Sequence, residues 1–147
     1  MKQGWLIVAV AVLALAARAD RYAAQNGQTS APPYASWTTA ASNIQDAVNA
    51  ALTNETVWVG AGRYTLPPNA TNYVGTNVVF INRPLVLRGS SGVPEDVVID
   101  GENTYRGLAA LMAFNTTNRL VLDSLTVSNG RAVLAGGGVF FDCPINS

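Results

Sequence analysis

Histidine is absent from this chain of 147 residues, and cysteine occurs once. Without imidazole, the commonest general base, the usual proton shuttle near neutral pH and a favoured metal ligand are all missing. A single cysteine, Cys143, excludes an intramolecular disulfide. It is either a small residue at a strand end or a thiol for pairing between chains. Lysine occurs only as Lys2, and nine basic side chains face nine acidic ones. Nucleic acid demands a basic face, and nothing in this balance supplies one. Also missing is any apolar run of about 20 residues, the length that spans a bilayer.

The longest apolar run, Trp5 to Ala17, follows Lys2 and leads into Ala17-Arg18-Ala19. That order is a secretory signal peptide with an A-x-A cleavage site, an uncleaved anchor being the alternative. Cleavage before Asp20 leaves about 128 residues with seven arginines, no lysine and nine acids, a net charge of −2 and no membrane-spanning segment. Such a length suits one domain with a modest core. Three parts are expected: a signal peptide over 1–19, an irregular lead-in over 20–41 and a folded unit over 42–147. The lead-in contains NGQTSAPPY, Asn26 to Tyr34, which is polar and rich in breakers. The protein is expected to be secreted or held at the cell surface.

Ser42-Asn43-Ile44-Gln45 fits a capping box, with Ser42 taking an orphan amide and Gln45 reaching back. Beyond it Ile44, Ala47, Val48, Ala51 and Leu52 recur at helical spacing and form one apolar stripe. From Thr56 the period changes to that of strands. TVWVG, NVVFI, PLVLRG, DVVIDG, ALMAFN, RLVLDS, LTVSNG and GGVFFD are short runs separated by Gly, Pro, Asn or Asp. Alternation sets Leu85 with Leu87, Leu120 with Leu122 and Leu125 with Val127 on one face. Val86, Arg88, Val121, Asp123, Thr126 and Ser128 fall on the other, so the sheets have one dry side.

Gly60-Ala61-Gly62 after TVWV resembles a phosphate-binding turn, but Thr65 occupies the third glycine position. Pro67 and Pro68 also stand where the required helix would continue. The stretch is therefore a corner between strands. Many short strands admit a sandwich of hairpins or a coil of parallel strands. Asp100-Gly101 and Asn129-Gly130 are candidate hairpin turns, yet neither joins two clean alternating runs of equal length. Asn82-Arg83-Pro84-Leu85-Val86-Leu87 and Asn118-Arg119-Leu120-Val121-Leu122 echo each other, the leucines lying 35 residues apart. Self-similarity at such a period marks stacked units.

The order NIQDAVNAA, TVWVGAGRY, INRPLVLRGSSG, VIDG, NRLVLDSLTVSNG and GGGVFF resembles the N-terminal part of exported right-handed parallel β-helix proteins, the pectin-lyase-like group. The resemblance covers about Tyr22 to Asp142. It implies an all-β solenoid in which a short amphipathic helix, roughly Asn43 to Leu52, caps one end. Val57 to Val59 would open the first rung, Gly60 to Gly62 would turn its corner, and stacking would supply the core. The chain stops soon after GGGVFF without a capping element, so the solenoid is expected to be incomplete at its C-terminus. Its free edge would pair with missing rungs or another chain.

Enzymes of that group commonly cleave acidic polysaccharides, with clustered carboxylates or with calcium and a basic residue. No such catalytic constellation stands in this chain. Glu95-Asp96 is the only adjacent acid pair and lies in a turn sequence. Asp100, Glu102 and Asp123 would bind calcium if gathered on neighbouring rungs, with Arg88, Arg106 or Arg131 beside them; singly they are turn and strand-end residues. No other cofactor is expected. Trp58, Tyr64, Asn103, Tyr105 and Arg106 are candidates for a polysaccharide or cell-surface glycan, the rings for stacking and the polar groups for hydrogen bonds. Trp58 is alternatively covered by a lead-in containing Tyr34 and Trp37. Asn54, Asn69 and Asn115 satisfy the glycosylation acceptor rule. The expected function is a noncatalytic adhesive, glycan-binding or structural solenoid. The alternative is the N-terminal fragment of a polysaccharide lyase or glycoside hydrolase with catalytic rungs beyond Ser147.

Overall fold

The computed structural model describes residues 19–67, 77–112, 119–133 and 135–142. The leader up to Arg18, Asn69, Asn115 and Cys143 lie outside these residues. The described elements are β1 (Arg21–Ala23), α1 (Ile44–Ala50), β2 (Thr56–Val59), β3 (Gly62–Tyr64), β4 (Asn77–Ile81), β5 (Leu85–Gly89), β6 (Val97–Asp100), β7 (Arg106–Leu111), β8 (Leu120–Asp123), β9 (Thr126–Ser128) and β10 (Val139–Asp142). Single 3-10 turns occur at Trp37–Thr39 and Pro94–Asp96. Glu95 and Asp96 are exposed in the second of these turns.

The chain is mostly β, with one α-helix and no closed barrel among the described residues. Its strands form three sheets, in the orders β1-β2-β5-β8, β3-β6-β9 and β10-β7-β4. From β2 onward the chain visits the three sheets in rotation, and each described pairing is parallel. Parallel neighbours require a long return path, which the intervening two strands of each circuit provide. Leu85 stands opposite Leu120 and Leu87 opposite Leu122, so the 35-residue echo is one step of stacking. Asp100-Gly101 and Asn129-Gly130 turn corners between sheets rather than hairpins.

Alternation produces the core directly. Val57 and Val59 on β2, Leu85 and Leu87 on β5, Val97 and Ile99 on β6, Val79 and Ile81 on β4, and Leu108 and Ala110 on β7 are buried in one cluster. Burying one such aliphatic side chain contributes roughly 1.5–3 kcal/mol. At the corner after β6, Gly101 lies against Gly130 and the backbone of Asn129 and Tyr105, leaving no room for a Cβ. Close approach of stacked corners therefore demands glycine here.

Five local expectations are corrected. The N-cap is Asn43, whose side chain accepts from the Asp46 amide at 2.8 Å, and not Ser42. Gln45 does not reach back to the helix start; within the helix its Nε2 donates forward to Asn49 Oδ1 at 2.9 Å. Its Oε1 accepts from Phe80 N at 2.6 Å and its Nε2 donates to Phe80 O at 3.0 Å. The amide thus occupies the free edge of β4, a better partner than solvent. Leu52, expected on the buried stripe, lies beyond the helix and is 63% exposed. The lead-in is not wholly irregular: β1 pairs with β2, and Ala41 bridges to Ala23 on its other side. The third-sheet strand begins at Arg106, ahead of the ALMAFN run that was expected to form it.

The helix packs on β1, β2 and β4, which places it over the first strands of two sheets. Arg21 fixes that junction. Its guanidinium pairs with Glu55 at 3.2 Å, both side chains being buried, and donates to the carbonyls of Ala50, Ala19 and Asp20. Arg83 donates to Ala51 O at 2.8 Å. Two cations thus satisfy orphan carbonyls at the helix C-terminus, where the dipole favours positive charge.

Candidate functional site

Tyr22, Trp58, Arg88 and Asp123 occupy successive in-register positions on β1, β2, β5 and β8. Their sequence neighbours Val57, Val59 and Leu87 face the core, so strand alternation turns this column outward. At the usual strand spacing of about 4.8 Å, three steps span roughly 14 Å. Trp37 extends the column: its ring meets Tyr22 edge-on at 4.8 Å and is 42% exposed.

The contacts along the column are specific. Trp58 donates its indole N–H to Asp20 Oδ2 at 2.9 Å. The Arg88 guanidinium lies 5.5 Å from the Trp58 ring centre. Its Nε stands 2.7 Å from Asp123 Oδ2, an ionic contact in which the N–H is not aligned on an acceptor. Ser124 and Asp123 share a hydrogen bond of 2.9 Å. Both side chains of the Arg88–Asp123 pair are about two-fifths exposed. The guanidinium is thus held between the Trp58 ring and the Asp123 carboxylate.

Trp58 thus sits on the outward face, as alternation expected, with two lead-in residues beside it: Asp20, which accepts its indole N–H, and Tyr22, in register on β1. Tyr64 requires a correction. It is buried in the core, and its hydroxyl donates to Gly60 O at 2.9 Å. Burial pushes its phenol up to about 12. Its ring is closed to any surface ligand, because position 64 falls on the inward face of β3.

Asn103, Tyr105 and Arg106 gather on a different corner, after β6. Asn103 is exposed at φ 55°, and its amide donates to Asn129 O at 2.7 Å. Tyr105 is partly buried against the core, and its carbonyl accepts from Arg131 N at 2.8 Å. Arg106 spends its N–H groups on Gly136 O, Ala135 O and Asn77 Oδ1, with its guanidinium 4.8 Å from the Phe140 ring centre. It holds the segment before β10 in place.

The three candidate calcium ligands are apart. Asp100 is buried on the second sheet and Asp123 stands on the first, while Glu102 is exposed at φ 52°. Asp100 pairs with Arg63 at 2.6 Å and accepts from Glu102 N, Asn129 Nδ2 and Ser128 Oγ. Burial alone would raise its pKa, but the Glu102 amide, Asn129, Arg63 and Ser128 outweigh that and hold the carboxyl below its ordinary value. Among the described residues no group of three metal-ligating side chains forms.

Sequence reasoning missed Asp20, Tyr22 and Trp37 as members of the outward column. Arg88 opposite Asp123 was within reach, since the two differ by the same 35 positions as the leucine echo. No family model, curated protein or solved structure matches this chain. Among the described residues no helix is long and apolar enough to cross a membrane.

Proposed function

We propose that the chain is an exported right-handed parallel β-helix of the pectin-lyase-like kind, and that its described coils form a noncatalytic solenoid with an adhesive, glycan-binding side. The rotation of strands through three parallel sheets supports the solenoid. Right-handedness follows the strong preference of parallel crossover connections. The helix over β1, β2 and β4 suits the role of end cap.

One observation carries the noncatalytic reading. Charged side chains are spent on joining successive circuits: Arg21 with Glu55, Arg63 with Asp100, and Arg88 with Asp123. Such pairs fix stacking, and among the described residues they engage these six charged groups with one another rather than with an open cleft. Incubating the full chain with polygalacturonate and with neutral glucans tests this, with reducing ends and unsaturated products measured. The expected result is no turnover of either polymer. Product formation above that of a heat-inactivated control would overturn the noncatalytic reading.

A further inference from the structure

From the outward column on the first sheet we infer that the glycan it takes is a neutral polyhydroxylated chain and not an acidic one. This rests on the glycan-binding reading above and narrows it to a place and a ligand class.

The place follows from shape. Trp37, Tyr22, Trp58, Arg88 and Asp123 form a continuous ridge across four strands, aromatic at one end and ionic at the other. The exposed Trp37 ring offers an apolar surface to the C–H face of a pyranose. At the other end, the partly exposed Arg88 guanidinium stands beside the partly exposed Asp123 carboxylate.

The class follows from charge and hydrogen-bond type. A hydroxyl both donates and accepts, so neighbouring hydroxyls satisfy the guanidinium and the carboxylate together. A uronate carboxylate only accepts. It would match Arg88 but stand against Asp123. Arg88 is already paired with Asp123, so an anion gains little there and meets a like charge.

The test is titration of the full chain with cellohexaose, mannohexaose and hexagalacturonic acid, followed by calorimetry and tryptophan fluorescence. At least one neutral hexasaccharide is expected to bind, and the acidic one not. Trp37→Ala is expected to weaken neutral binding roughly fivefold or more, a typical loss for one stacking ring. Asp123→Asn releases Arg88 and is expected to weaken neutral binding while creating salt-sensitive binding of hexagalacturonic acid. Because the ion pair is partly exposed, this variant is expected to fold normally. Tighter binding of the acid by the unaltered chain would overturn the inference and leave the glycan-binding reading standing. Neutral binding unchanged in both variants would also overturn it, by moving the site elsewhere. Binding of none of the three would remove the glycan-binding reading and this inference with it.

Discussion

Arg21 and Glu55 show what single residues contribute. Each is buried, and together they join β1, the end of α1 and the approach to β2. Removing one partner strands the other charge in the interior, which costs about 3–5 kcal/mol. Glu55→Gln is therefore expected to lower stability by that amount in denaturant titration, and Arg21→Met with Glu55→Leu together by less than the two single losses. Acid sensitivity belongs to Asp100. Its carboxyl ionises more readily folded than unfolded, so the unfolded chain takes up the proton first as pH falls. The stabilisation is full above its ordinary value of 3.8 and is lost as pH drops below it. Stability measured from pH 6 to pH 2 is expected to fall less steeply in Asp100→Asn, from a lower starting level. Tyr64 acts at the other extreme. Its raised folded value means stability declines as pH climbs from 10.0 to about 12, and Tyr64→Phe is expected to flatten that decline.

At the scale of elements, α1 and the strands differ in how far the sequence revealed them. The stripe Ile44, Ala47, Val48 and Ala51 was legible because helical spacing and burial agree. Its cap was displaced by one residue, since Ser42 and Asn43 are both good caps and spacing alone does not choose between them. Asn43→Ala is expected to cost about 1 kcal/mol and Ser42→Ala far less, as read by thermal denaturation. The strands β2, β5, β6 and β8 announced themselves through β-branched and leucine alternation. β1 did not, because three residues, Arg-Tyr-Ala, carry no periodic signal and gain their conformation from β2 and Ala41. β7 was placed late for a related reason: Gly107, Ala109 and Ala110 are small residues that fit a crowded layer but have weak strand preference. The candidate site was less legible still. Tyr64 looked available at a corner, whereas its register with Ile99 puts it inside.

At the scale of the whole molecule, the two ends are unlike. One end is covered by α1, with Gln45 on the β4 edge. At the other, among the described residues, β8, β9 and β10 are edge strands, their inward apolar residues only partly buried, and Phe141 is 52% exposed. Free parallel edges with apolar side chains invite further pairing. Self-association of the chain is expected to rise with concentration in analytical ultracentrifugation, and Leu122→Lys is expected to suppress it. Everything above depends on successive circuits stacking in parallel, with each leucine of one layer over its counterpart in the next. Backbone contacts measured by nuclear magnetic resonance on the isotope-labelled chain test this most directly. Parallel stacking requires Leu85 beside Leu120 and Leu87 beside Leu122; finding Leu85 beside Leu122 and Leu87 beside Leu120, as in an antiparallel pair, would contradict it.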